Sequence, residues 1–147
     1  MVFNIAYFNN RNNACRRNIL NIYLILTVIW FGFMTFLSHQ NGEHTGKTSM
    51  ELAKKLCFAG INVNELNSYL RKAAHVFLFF VFNILLIVTL KSYLLSPLYG
   101  VAAAVIWSWA DERTKPFIEG RHFSWFDVGL NLCGVVLGWI VTLFFLT

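Results

Sequence analysis

The stretch D-E-R-T-K-P-F-I-E-G-R-H-F-S-W-F-D-V-G-L-N, from Asp111 to Asn131, sets acids, bases, a histidine and an amide between two apolar runs that carry no charge. Charge beside hydrocarbon is expensive, so such a cluster serves pairing or a site. Its residue types allow two chemistries. Arg71 and Arg121 suit two-point contact with a phosphate or carboxylate, while Asp111, Glu112 and Asp127 hold the guanidinium forks in place. Alternatively, His75 with Asp111 or Asp127 serves as general base and orienter, and the arginines face developing negative charge. The structural use of the same residues is an ion-pair knot of Asp111, Glu112, Arg71 and Arg121 that closes one end of a helix bundle.

No recognised motif selects a reaction. The chain contains no G-x-S-x-G elbow, no P-loop and no H-E-x-x-H, so a catalytic residue stays unassigned among His75, Asp111 and Asp127. His75, His122 and the acids also lack the spacings of common metal ligands, and no metal or other cofactor is expected.

The elements that must position these residues follow from composition. A chain that is 57% hydrophobic and 13% charged, with the apolar residues in blocks, cannot coat a soluble globule. It is expected to be an integral membrane protein. The net charge of +5 is spread over several short loops, with no basic face carrying interleaved aromatics, so anionic headgroups rather than nucleic acid are the expected partner. Cys15, Cys57 and Cys133 fall at three different depths of such a protein and are expected as free thiols.

Four apolar runs predict helices at about 19–37, 73–90, 94–110 and 126–146, which makes an all-α, four-helix membrane bundle in one domain over 1–147. Met1 to Asn18 reads as a short polar tail. Between the first two runs, Thr48 and Glu51 form a capping-box pattern ahead of Met50, Leu52, Ala53, Leu56 and Cys57, predicting a short interfacial helix that ends near Gly60. Lys54 and Lys55 lie on its polar side. The second run opens on Arg71-Lys72, and helical spacing puts Arg71, Lys72 and His75 on one face, with Asn83 two turns further along it. Lys91-Ser92 is a very short turn, and Pro97 behind Ser96 suits the start of the third helix.

In the last run Asp127, Asn131, Gly134 and Gly138 recur at helical steps and form one stripe. Its G-x-x-x-G pair should face another helix, and a homo-oligomer is one use for it. Asn131 is read either as interhelical glue or as a residue that orients Asp127 or a ligand. The polar residues Asn83 and Asn131, facing each other with His75, would also line a shallow crevice of the kind a lipid flippase needs. Arg16-Arg17 and Lys91 predict that both termini lie in the cytoplasm. Arg71, Lys72, His75, Asp111, Glu112, Arg121, Asp127 and Asn131 would then meet at the outer face as a ligand site for membrane lipids or a lipid-linked envelope precursor.

These residues carry a resemblance. Ser38 and Gln40 in S-x-Q, Arg71, Lys72 and His75 in R-K-x-x-H, Asp111-Glu112, and the run G-R-x5-D-x3-N-x2-G-x3-G from Gly120 to Gly138 resemble the VanZ-like family of membrane proteins. The pattern covers nearly the whole chain. It implies a small multi-helix envelope protein with a polar site at the outer face, in a family named for a member linked to resistance to the glycopeptide teicoplanin. Lys115 stands where the family usually has Gln, Glu119 where it often has Pro, and Leu78-Phe79 where Glu-Tyr is common.

Overall fold

The computed structural model describes residues 2–56 and 62–146, with the side chains of 2–19, 42–45 and 146 outside the description. Five α-helices follow in order: α1 Val2–Ser38, α2 Gly42–Leu56, α3 Val63–Ser92, α4 Pro97–Thr114 and α5 Trp125–Leu146. A 3-10 turn, Lys115–Phe117, extends α4. The described residues contain no strand, and the fold class is all-α.

Helix α3 is the axis of the molecule and packs against each of the other four helices, with α5 its most extensive partner. Its 30 residues extend about 45 Å, more than the roughly 30 Å of a hydrocarbon core. The first turns, capped by Asn62 accepting from the Asn64 backbone N–H, therefore project beyond the apolar run that begins at Ala73. Helix α2 packs against α3, and its Ala53 is fully buried.

The core at mid-bundle is Met34, Phe79, Phe82, Ala104 and Val135, with Trp30, Phe31 and Trp107 packed on it. Close approach of α3 and α5 depends on glycine. A Cβ at Gly134 would lie 2.3 Å from the Val76 carbonyl oxygen, and one at Gly138 would lie 2.8 Å from that of Phe80. The G-x-x-x-G stripe is thus taken up against α3 of the same chain. Asn83 reinforces the contact by donating to the Val135 carbonyl at 2.8 Å.

Three segments, Leu20–Ser38, Val63–Ser92 and Trp125–Phe145, are long and apolar enough to cross a membrane. Helix α4 is not among them, for a reason visible in its packing. Its small and polar residues Gly100, Ala104, Ser108, Asp111 and Glu112 are buried, whereas Leu98, Val105, Ile106 and Trp109 face outward. Its mean hydropathy understates the apolar surface it presents to its surroundings. The expected third run is therefore a helix inside the bundle whose polar side is turned inward.

Several predicted boundaries move. Helix α1 is continuous from Val2, so the expected polar tail is helical in its backbone. Helix α2 begins at Gly42, which places Thr48 in the helix interior rather than at its cap. The predicted end near Gly60, together with Cys57, lies outside the described residues. Helix α3 starts at Val63, ten residues ahead of the apolar run, because the polar segment before Arg71 is also helical. Helix α4 runs over Pro97–Thr114 rather than about 94–110: Pro97 occupies the first turn with the Ser96 side chain capping it, as the Ser96-Pro97 pair predicts, and the far end extends past Asp111 and Glu112. Cys133 is a free, exposed thiol on α5.

Candidate functional site

The ends of α1 and α4 and the early turns of α3 and α5 converge on one polar cluster. Asp111 and Glu112 sit one turn before the C-terminus of α4, and both are buried. Lys115, at the start of the 3-10 turn, folds back so that its ammonium pairs with Glu112 Oε1 and lies 4.0 Å from Asp111 Oδ2. All three side chains are withdrawn from solvent, with Lys115 only 3% exposed. Pro116 follows at once and ends the i-to-i+4 ladder, which lets the chain tighten and keeps the ammonium over the preceding turn.

Helix α1 contributes its last residues. Ser38 donates to Asp111 Oδ2 at 2.7 Å. The ring of His39 bridges the Thr35 carbonyl and the Thr114 hydroxyl, at 2.9 and 2.8 Å, and its Nδ1 lies 3.9 Å from Asp111 Oδ1. These bonds tie the end of α1 to the end of α4.

His75 of α3 faces α5 and α4 together. Its Nδ1 is 2.9 Å from Asn131 Oδ1 and 3.9 Å from Glu112 Oε1. The Asn131 amide nitrogen donates to the Ser108 carbonyl at 3.4 Å, which turns the amide oxygen toward the ring. That orientation places the ring proton on Nδ1 and leaves Nε2 as the basic nitrogen of the neutral imidazole. Asn131 is therefore both interhelical glue and the residue that orients a ring, and the ring is that of His75 rather than the Asp127 carboxylate. Asp127, in the first turn of α5, brings its carboxylate into the same cluster. The ligand atoms of His75, Glu112 and Asp127 all lie within 4.8 Å of one another. His122, by contrast, is exposed and outside this group.

A cavity of about 450 Å³ opens beside the cluster. Its lining combines Arg71, His75, Asp111, Lys115 and Arg121 with apolar residues that include Met34, Leu37, Leu70, Ala74, Leu78 and Phe79. Residues of α2, among them Ser49, Leu52 and Lys55, complete the rim. Arg121 reaches this space from a turn in which Gly120 has φ 72°, a left-handed conformation that suits glycine. Its Nε donates to the Gln40 carbonyl at 3.2 Å. Burial, and then the nearby Arg71, pull the Arg121 guanidinium below its ordinary pKa, although an arginine remains a cation throughout the physiological range.

Of the residues expected to form the site, Arg71, His75, Asp111 and Arg121 line the cavity, while Glu112, Asp127 and Asn131 stand behind or beside His75. Lys72 does not line it. Its ammonium lies 5.8 Å from the Tyr69 ring centroid and 5.5 Å from that of Phe126, a cation–π arrangement between α3 and α5. Asn83, whose amide nitrogen donates to the Val135 carbonyl, and Asn131 are both fully buried and do not line this cavity. The residues missed from the sequence are Lys115, Ser38 and His39. The i-to-i+3 spacing of Glu112 and Lys115 was the available signal for the first and the S-x-Q pattern for Ser38, whereas His39 is recognised only when α1 meets α4.

A family model described as VanZ/LLP1 matches residues 23–146. The chain belongs to the VanZ/LLP1 family. That match spans α1 from within its apolar segment through to the last turn of α5, so it contains the whole cluster and the cavity. With its apolar helices, membership makes this VanZ-type chain a membrane protein of the cell envelope. No curated protein and no solved structure matches the chain.

Proposed function

We propose that this VanZ-type protein binds the anionic head of an envelope lipid or lipid-linked precursor, together with the first part of its apolar chain. The observation that carries this reading is the mixed lining of the cavity, in which Arg71 and Arg121 stand with apolar residues such as Met34, Leu37, Leu78 and Phe79. An amphiphile with a phosphate or carboxylate head matches both kinds of lining residue. Arginine forks supply paired N–H donors to its oxygens, and burying its chain removes apolar surface from water.

Arg11, Arg16 and Arg17 precede the first crossing, and Lys91 lies in the last turn of α3, at the end remote from the cavity. Arg16-Arg17 beside the first crossing and Lys91 are the bases on which we place that end and both termini in the cytoplasm and the cavity at the outer face. The other eight bases fall on that outer side, accompanied by all seven acids. Sequestering or shielding anionic groups there would reduce surface retention of teicoplanin, the glycopeptide associated with the family. The test is teicoplanin susceptibility and retention of labelled drug in a sensitive host carrying the wild type or Arg121→Ala at equal membrane levels. Resistance that disappears with Arg121 supports the reading. Equal susceptibility with and without the wild-type protein sinks the resistance role.

A second reading, an enzyme at the membrane edge acting on a lipid phosphate or acyl group, is favoured by the His75–Asn131 contact. A ring held with Nε2 unprotonated, lining the same cavity as two arginines, has the parts of a general base at an anion site. Purified protein that changes a radiolabelled envelope lipid, and loses this with His75→Ala, would establish it. Unchanged lipids across the whole envelope fraction would leave binding alone.

A further inference from the structure

We infer that His75, Glu112 and Asp127 form a divalent-cation site of the manganese or zinc type. The sequence gives no sign of it, because the three ligands come from α3, α4 and α5 and have no common spacing. In the folded chain each offers a ligand atom, and these atoms lie within 4.8 Å of one another, a separation that one ion at about 2.0–2.2 Å from each can bridge with small side-chain movements.

Glu112 is the second and independent observation. The residue has no exposed surface, its Oε1 is paired with Lys115, and its Oε2 is buried without a hydrogen-bond partner among the described residues. A buried carboxylate oxygen left unpaired carries a desolvation cost that an ion would remove. Asn131 fixes the ring of His75, the kind of support that orients an imidazole ligand. One imidazole and two carboxylates make a mixed nitrogen and oxygen set, which suits manganese or zinc better than magnesium. Three protein ligands leave coordination positions free, and His75 also lines the cavity. An anionic head would find the ion there beside the arginines.

Lys115 gives the site a signature. Its ammonium competes electrostatically with any cation at Glu112, so neutralising it tightens binding, whereas it would not do so if the cluster were only an ion-pair knot. The inference stands apart from the lipid reading, since an ion bound without any lipid leaves it intact.

The experiment is Mn2+ titration of the purified, chelator-stripped full chain in detergent, followed by electron paramagnetic resonance, with helicity checked by circular dichroism. One ion per chain is expected, with affinity lowered at least about tenfold in Glu112→Gln and raised in Lys115→Gln. Because Glu112→Gln also disturbs Lys115, Asp127→Cys is the deciding variant. A thiolate ligand there shifts preference from Mn2+ to Cd2+ by about tenfold or more, which a purely structural Asp127 would not do. No binding by a helical wild-type protein overturns the inference. So does Mn2+ binding that is unchanged in both Glu112→Gln and Asp127→Cys.

Discussion

Asn131 of α5 and His75 of α3, far apart in the chain, share a 2.9 Å hydrogen bond, and the other end of the same amide holds the α4 backbone at Ser108. One side chain therefore joins three helices and sets the face His75 presents to the cavity. Asn131→Ala should cost about 1–3 kcal/mol by leaving buried groups unpaired, read as a lower thermal midpoint in detergent. Asn131→Asp keeps an oxygen at the ring, so it should restore whatever His75 does more fully than Asn131→Ala. Equal losses in the two variants would reduce Asn131 to packing.

The buried Lys115–Glu112 pair predicts strong non-additivity. Lys115→Met leaves Glu112 without its cation and should cost about 3–5 kcal/mol. The double variant Lys115→Met with Glu112→Met removes both charges and should be much less destabilised than the sum of the single changes. A double-mutant cycle on unfolding in detergent measures this, and additive costs would show that the pair is not coupled.

Gly134 and Gly129 should respond in opposite ways to the same change. A Cβ at Gly134 runs into the Val76 carbonyl oxygen, and moving it away requires α3 and α5 to separate, at a cost of about 1–3 kcal/mol or more. Nothing lies within 4 Å of a Cβ at Gly129, so Gly129→Ala should be neutral or slightly stabilising. Thermal midpoints of the two variants test the α3–α5 contact directly.

Gly120 links backbone conformation to the cavity. An alanine at φ 72° costs about 1–2 kcal/mol, and a turn that shifts to relieve it would displace the adjacent Arg121. Gly120→Ala is therefore expected to weaken binding of an anionic lipid with little change in helicity, while Gly120→Asn, which tolerates this conformation better, should do less harm. Vesicle flotation assays with anionic and neutral lipids would separate the two variants. Equal binding by both would disconnect the turn from the cavity.

The all-α class, the helical runs and their family kinship were legible because they rest on local patterns: blocks of apolar residues, Ser96-Pro97 at a helix start, and fixed spacing from Gly120 to Gly138. The members of the polar cluster were largely legible too, since charges next to apolar runs stand out one by one. Helix boundaries were less so. The segment 63–72 is polar and projects beyond the apolar run, so hydropathy could not register it as part of α3.

What only tertiary structure decided is which charge meets which. From spacing alone, Lys72 and Arg71 share a face with His75, yet the approach of α5 engages Lys72 with Phe126 and leaves Arg71 in the cavity. Lys115, one base among many in the chain, becomes the buried counter-ion of two acids because Pro116 turns the backbone behind it. The amphipathic pattern of α4 is likewise inverted, with polar residues inside and apolar ones outside. Sequence periodicity reports which residues share a side of a helix, whereas the identity of the surface they meet depends on long-range packing. In an apolar medium that packing turns polar groups toward one another, because each one buried without a partner carries a large desolvation cost.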